Sequence, residues 1–251
     1  MRGYRDLAAD LRRRIESGEY PAGSTLPPIT DLMEEHGLAK QTVRSALAEL
    51  ANQGFVITRR KYGTLVRDRS AVRIPLSRYG QVLTPGGTMG PWEAACAAQG
   101  LAGRMKVVGV QREAADKEIS ALLNITPGDE VIHRRRNALI NDEVVQVQHA
   151  WYPAGLADRA GISEASKIEG GIFGALIAAG IPPVSADETV TSGIPSAQEA
   201  AELQIGTGVP ILRIRRLTRT TDGTVLEVLK VSAPSDRVEL CYDQLPIGER
   251  A

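Results

Sequence analysis

Apolar residues at Tyr4, Leu7, Ala8, Leu11 and Ile15 recur at three- and four-residue intervals, with Asp6, Asp10, Arg12 and Arg13 between them. That period places one apolar stripe on a helix and the charges on its other faces. Gly18 ends it, and a turn of Pro, Gly, Ser and Thr follows over residues 21–28. The next apolar run predicts a short helix over 30–36 with Thr30 as its N-cap, closed by a glycine turn at Gly37. Residues 39–52 predict a third helix, whose buried face is Val43, Ala46, Leu47 and Leu50, stopped at Gly54. The period then changes. Residues 55–60 and 64–67 predict two short strands around a tip at Lys61, Tyr62 and Gly63. Two helices joined by a glycine turn, followed by a basic hairpin, make a winged helix-turn-helix.

Beyond residue 67 the chain alternates more than it coils. Residues 68–90 predict a linker and lead-in loop, rich in turn formers over 84–91. Strands are expected at 107–111, 131–139, 144–152, 186–191, 209–220, 224–232 and 238–242. Helices are expected at 118–123 and 171–179, and Ser196 with Glu199 forms a capping-box signal for one ending at Leu203. Strands joined by short turns imply a mainly antiparallel sheet with flanking helices, an α+β fold. The expected organisation is a DNA-binding domain over 1–69, the linker and loop over 70–90, and a larger domain over 91–251.

Composition narrows the class. The formal net charge is zero, with 43% hydrophobic and 24% charged residues. Residues 1–69 hold 12 Lys/Arg and 9 Asp/Glu, a balance of +3. Over 39–69 the balance is 7 against 2, or +5. A local basic stripe in a neutral chain is what phosphate contact requires. No apolar run is long enough for a membrane span, and the charged start lacks a signal-peptide core, so a cytoplasmic protein is expected. Cys96 and Cys241 stand in unrelated contexts and read as reduced thiols.

Residues 4–67 resemble the DNA-binding domain of the GntR family. The resemblance is carried by the Pro21-Ala22-Gly23-Ser24-Thr25-Leu26-Pro27 turn, the stretch from Lys40 to Leu50, Gly54-Phe55, Arg59-Arg60 and Gly63-Thr64-Leu65-Val66. Thr30 stands where that family commonly has a DNA-contacting Arg, and the wing tip is one residue shorter. Residues 90–245 resemble the UTRA domain of the HutC subfamily, whose fold is similar to that of chorismate lyase. The matching pieces are Pro127-Gly128-Asp129-Glu130-Val131, Arg134-Arg135-Arg136, Trp151-Tyr152-Pro153, Leu226-Glu227-Val228 and Asp236-Arg237-Val238. The resemblance implies a homodimer that binds an inverted-repeat DNA operator and a small-molecule effector, without a cofactor.

Candidate residues follow. Lys40, Gln41, Thr42, Arg44 and Ser45 occupy the first turns of the third helix, which in a helix-turn-helix enters the major groove N-terminus first. Arg59, Arg60, Lys61 and Gly63 form the wing, where contacts to the phosphate backbone are expected. In the second domain, Arg134 and Arg136 share a strand face and can clamp a phosphate or carboxylate. The bland alternative for them is a salt-bridge ladder, an alternative that weighs more heavily for Arg213 and Arg215. The resemblance implies effector contacts for Arg136 and Glu227. Thr88, Trp92 and Glu93 in the glycine-rich loop, and His149 and Tyr152 on a pocket strand, complete the effector set. A ligand-free dimeric repressor and an enzyme of chorismate-lyase-like fold are the competing readings. Against the enzyme, no nucleophile elbow, phosphate loop or metal-ligand spacing is found.

Overall fold

The computed structural model describes residues 3–59, 61–75, 90–166, 168 and 170–242. The chain divides into two compact units: Met1–Ser70 with Ile194–Ile211, and Ala71–Gly193 with Leu212–Ala251. The segment 194–211, which the strand pattern would leave in the larger domain, therefore groups with the N-terminal one.

The first unit contains α1 (Tyr4–Glu16), α2 (Ile29–His36), α3 (Lys40–Asn52) and the hairpin β1 (Val56–Arg59) and β2 (Gly63–Val66). Leu7, Leu11, Leu32, Val43, Ala46 and Leu50 are fully buried at its centre. Gly37, at φ 62°, makes the left-handed turn that re-aims the chain from α2 into α3, a conformation costly for residues with a Cβ. Helix α2 starts one residue earlier than its sequence suggests. Pro28, with its fixed φ, holds the N-cap position without a side-chain bond, and the Thr30 hydroxyl donates to Asp31 Oδ1 at 2.9 Å instead. The wing is held from behind. Gly23 N–H donates to Val66 O, Val66 N–H to Ser24 O and Leu26 N–H to Thr64 O, at 2.8–2.9 Å, so the proline-flanked turn serves as a third strand.

The segment 194–211 carries a short helix, Ala197–Leu203, opened by the expected Ser196–Glu199 capping box. Its end docks on the C-terminus of α3. Asn52 Oδ1 accepts from Thr207 Oγ1 at 3.0 Å and from Gly208 N–H at 2.9 Å. A Cβ on Gly206 would lie 2.6 Å from Asn52 Cα and closer still to the Ala51 carbonyl oxygen. The absence of a side chain at 206 is thus a condition of this backbone-to-backbone contact.

The second unit is built on a six-stranded sheet in the order β4-β5-β6-β9-β8-β7. Its strands are β4 (Gly103–Ala114), β5 (Glu130–Ile140), β6 (Glu143–Pro153), β7 (Ser185–Gly193), β8 (Ile211–Arg219) and β9 (Val225–Pro234). β5 and β6 pair antiparallel, with Arg136 opposite Gln148 and Ile132 opposite Tyr152. β6 and β9 continue the pattern, with Ala150 opposite Leu229. One sheet face packs on α6 (Ala154–Arg159) and α7 (Gly171–Ala178) through Leu156, Phe173 and Leu176. The opposite face packs on α5 (Lys117–Leu123) through Ile119 and Leu123 against Val131 and Val228. The expected linker holds a strand, and a helix follows directly after the lead-in loop. β3 (Val72–Pro75) pairs in parallel with β10 (Val238–Cys241), and Pro91 opens α4 (Pro91–Ala97), where a proline's missing N–H costs nothing. No helix among the described residues is long and apolar enough to cross a membrane. Cys96 and Cys241 are both free, and burial pushes the Cys96 thiol up to about 11.

Candidate nucleic-acid interface and effector cavity

Three of the four arginines of α1 are neutralised locally, and the fourth, Arg5, donates to the Tyr4 hydroxyl at 3.2 Å. Arg12 pairs with Glu16, Arg13 with Asp10, and Arg14 with Glu19 and Glu35. The basic residues of α3 and the wing tip differ. Lys40, Arg44 and Lys61 are exposed and have no ion-pair partner among the described residues. Gln41 is exposed beside them, while Thr42 and Ser45 are half-buried at the edge of the same helix face. Ala39 occupies the N-cap of α3 and offers no side-chain acceptor; its carbonyl takes the Thr42 N–H at 2.9 Å, and the Lys40 and Gln41 N–H groups are left uncapped at the positive end of the helix dipole. In the wing, Arg59 is half-buried opposite exposed Gly63, and Tyr62 is 66% exposed at the tip. Arg60 lies outside the described residues. Arg67, counted in the basic stripe, is buried and donates to Gly54 O at 3.0 Å, and Arg69 covers the Phe55 ring. These two hold the wing base together.

The second unit holds a cavity of about 330 Å³ that is partly open to solvent. Its floor is the sheet face that carries Arg134 and Arg136 of β5, Gln146 and Gln148 of β6, Ile214 and Arg216 of β8, and Glu227 and Leu229 of β9. Its roof is the start of α7, with Ile172 and Phe173, and the residues leading into it. Gly90, Trp92 and Glu93 at the start of α4 form one wall. Trp92 and Glu93, expected in a loop, are thus fixed in a helical first turn. Trp92 Nε1 donates to Leu139 O at 3.4 Å, and Glu93 Oε1 accepts from Met105 N–H at 3.1 Å. Thr88 lies outside the described residues.

The three arginines of the cavity are held differently. Arg134 is 2% exposed, and its Nη1 donates to the carbonyls of Ile162 and Glu164 at 2.5 and 2.7 Å. Burial lowers its pKa from the ordinary value, and Arg136 beside it acts in the same direction. Arg216 grips Glu227 Oε2 through Nη2 at 2.6 Å and Nε at 3.2 Å. The same oxygen accepts from Thr218 at 3.0 Å, and Oε1 accepts from the Tyr152 hydroxyl. Burial alone would raise the Glu227 carboxyl. Arg216, the Tyr152 hydrogen bond and Arg136 outweigh it and hold that carboxyl below its ordinary value. Burial and the Glu227 charge in turn push the Tyr152 phenol well above its ordinary value. Arg136 differs from both neighbours. It has no hydrogen bond or ion pair among the described residues, and its Nε, like that of Arg134, is buried without an acceptor.

Of the expected effector residues, the structure gathers Trp92, Glu93, Arg134, Arg136 and Glu227 around the cavity. Tyr152 lies beneath it, linked through Glu227. His149 is on the other sheet face, bonded to His133 at 3.0 Å and stacked on Trp151. Residues 149 and 152 of one strand point to opposite faces, so they cannot both face one pocket. Arg216, Gln146, Gln148 and Glu188 line the cavity although the sequence reading passed over them. A signal for Arg216 was present: Ile214, Arg216 and Thr218 share one parity of β8 and are buried, whereas Arg215 is exposed.

A helix-turn-helix with uncompensated basic residues on its third helix, in one chain with a sheet domain holding a polar-lined cavity, defines a one-component transcriptional regulator rather than an enzyme. The profile of the bacterial regulatory proteins of the gntR family matches residues 3–66, and that of the UTRA domain matches residues 98–239. The chain belongs to the GntR family and carries a UTRA effector-binding domain. It is 29% identical over 230 residues to an uncharacterised HTH-type transcriptional regulator of Streptomyces coelicolor, covering 89% of this chain and 86% of that one. It is 26% identical to the HTH-type transcriptional repressor PhnF of Mycolicibacterium smegmatis, with 92% and 88% covered. The transcriptional repressor NagR of Bacillus subtilis is 24% identical, with 93% and 91% covered. The crystal structure of PhnF from Mycobacterium smegmatis superposes with a TM-score of 0.60 at 25% identity, covering 95% of this chain and 98% of that one.

Proposed function

We propose that the chain is a cytoplasmic repressor that binds an inverted-repeat operator as a homodimer and leaves it when a small molecule fills the cavity. Lys40, Gln41, Thr42, Arg44 and Ser45 are the groove-facing set, and Arg59, Arg60, Lys61 and Gly63 the backbone-facing set. Arg136 is the primary effector contact, supported by Arg134, Trp92, Glu93 and Glu227. The observation that carries this reading is that Arg136 lines the cavity without a hydrogen-bond or ion-pair partner among the described residues, its Nε buried. A buried polar group without a partner costs free energy, which a ligand acceptor recovers. One recognition helix reads too few base pairs to single out a genomic site, and two-fold symmetry doubles the footprint. The relatives named as repressors support the sign of regulation.

The test begins with an operator selected in vitro from random duplex DNA. Metabolites that raise the melting temperature of the full chain are then assayed for their effect on operator binding by fluorescence anisotropy. The expected hit weakens DNA binding by about 5- to 150-fold, the usual range of allosteric coupling. It loses that effect in Arg136→Gln, whose affinity without ligand is unchanged. A hit that releases the parent and Arg136→Gln equally places the effector elsewhere.

A further inference from the structure

The cavity also restricts which molecules can fill it. This step rests on the reading of the cavity as the effector site. Three arginines and three glutamates line it, so its formal charges cancel. Arg134 is engaged by two backbone carbonyls and Arg216 by Glu227, whereas Arg136 is without a partner among the described residues. Gln148 sits directly across from it on β6, with its amide donating to Gln146 at 3.1 Å. One available guanidinium matches one carboxylate, which accepts a two-pronged hydrogen bond and carries a single charge. A phosphate monoester brings a charge of about −1.5 to −2 at neutral pH. Its excess charge would face Glu227, Glu93 and Glu188 with no further unpaired cation among the described residues to offset it. Gln146, Gln148 and Ser166 add polar groups, and the rest of the lining is mainly apolar. Trp92, Ile172, Phe173, Ile214, Leu229 and Val231 surround the charged floor and favour a hydrocarbon body.

We infer that the effector is an amphipathic monocarboxylate, with its carboxylate on Arg136 and an apolar body against Trp92, Phe173, Ile214 and Leu229. A phosphorylated sugar fits less well: it carries too much charge for Arg136 alone, and its hydroxyls would find polar partners on only part of the lining.

Titration calorimetry of the full chain with octanoate, octyl phosphate and octanol tests this, since the three probes share one apolar body. Octanoate is expected to bind at least about tenfold more tightly than either of the others, a gap of about 1.4 kcal/mol. Arg136→Gln should reduce octanoate to the affinity of octanol, and Arg136→Lys, which keeps the charge, should restore part of the difference. An unchanged melting curve by tryptophan fluorescence verifies that both variants fold. Tighter binding of octyl phosphate that depends on Arg136 overturns the ligand class and leaves the site intact. Failure of all three probes to bind overturns the class and the site together, as does octanoate binding that is indifferent to Arg136→Gln.

Discussion

Replacing Arg216 with Met should destabilise the second unit far more than replacing Arg216 and Glu227 together. Both side chains are buried, 7% and 1% exposed, and Arg216 makes two of the hydrogen bonds that Glu227 accepts. Removing one partner of such a pair strands a buried charge, at a cost of about 3–5 kcal/mol. The lower end applies here, because Tyr152 and Thr218 still donate to Glu227 and the Arg136 charge remains nearby. An apolar pair such as Arg216→Met with Glu227→Leu removes both charges and should cost less than either single replacement of a charge. The reporter is built in: both tryptophans, Trp92 and Trp151, belong to the second unit, so urea unfolding followed by their fluorescence reads that unit. The pH dependence has a definite sign. In the parent, the Glu227 carboxyl is held below its ordinary value of 4.5, so its contribution is present above that pH and is lost as pH falls through the folded value. In Arg216→Met burial is less opposed, the folded value rises, and the deficit of the variant should shrink on acidification from neutrality. A single replacement costing under about 1 kcal/mol, or one no worse than the double, would refute the assignment of Arg216–Glu227 as the electrostatic anchor of the cavity floor.

Further outcomes follow from other contacts. Arg44→Ala should lower operator affinity by about 1–3 kcal/mol at fixed salt, the usual worth of a bidentate base contact, and a gel-shift titration decides it. Asn52→Ala should expose the 194–211 segment to protease, because it removes the acceptor of Thr207 and Gly208; digestion at the parent's rate argues against a docked segment. Gly206→Ala should do the same more strongly, since its Cβ would overlap the backbone of α3. Light scattering on the full chain at micromolar concentration should give a dimer mass, and a clean monomer would contradict the symmetric-operator reading.

Much of this was legible along the chain because local chemistry coincides with local structure. The stripe from Tyr4 to Ile15, the left-handed Gly37 and the Ser196–Glu199 box each need only near neighbours, and each appears where the pattern puts it. Pro28 shifted the start of α2 because its fixed φ outweighs a Thr cap. What was missed depends on distant partners. β3 exists only through its pairing with β10, more than 160 residues later in the chain. The docking of 194–211 is written in Gly206 and Gly208, which read as ordinary turn glycines until Asn52 is set against them. Arg134 and Arg136 share a face as alternation requires, yet their difference comes from the Ile162 and Glu164 carbonyls, which only the tertiary fold brings to one of them.

The central claim is that uncompensated basic residues on α3 and the wing, and not the net charge of the domain, bind DNA. The most direct measurement compares operator affinity, as a function of salt, for two triple variants. Lys40→Ala/Arg44→Ala/Lys61→Ala removes exposed cations without partners, and Arg12→Ala/Arg13→Ala/Arg14→Ala removes three that are already paired with carboxylates. The same formal charge is lost in both. The first variant should lose most of the specific affinity and flatten the plot of log affinity against log salt by about 0.9 for each phosphate contact removed. The second should keep the parent's slope. Equal losses in both variants, or an unchanged slope in the first, would contradict the account.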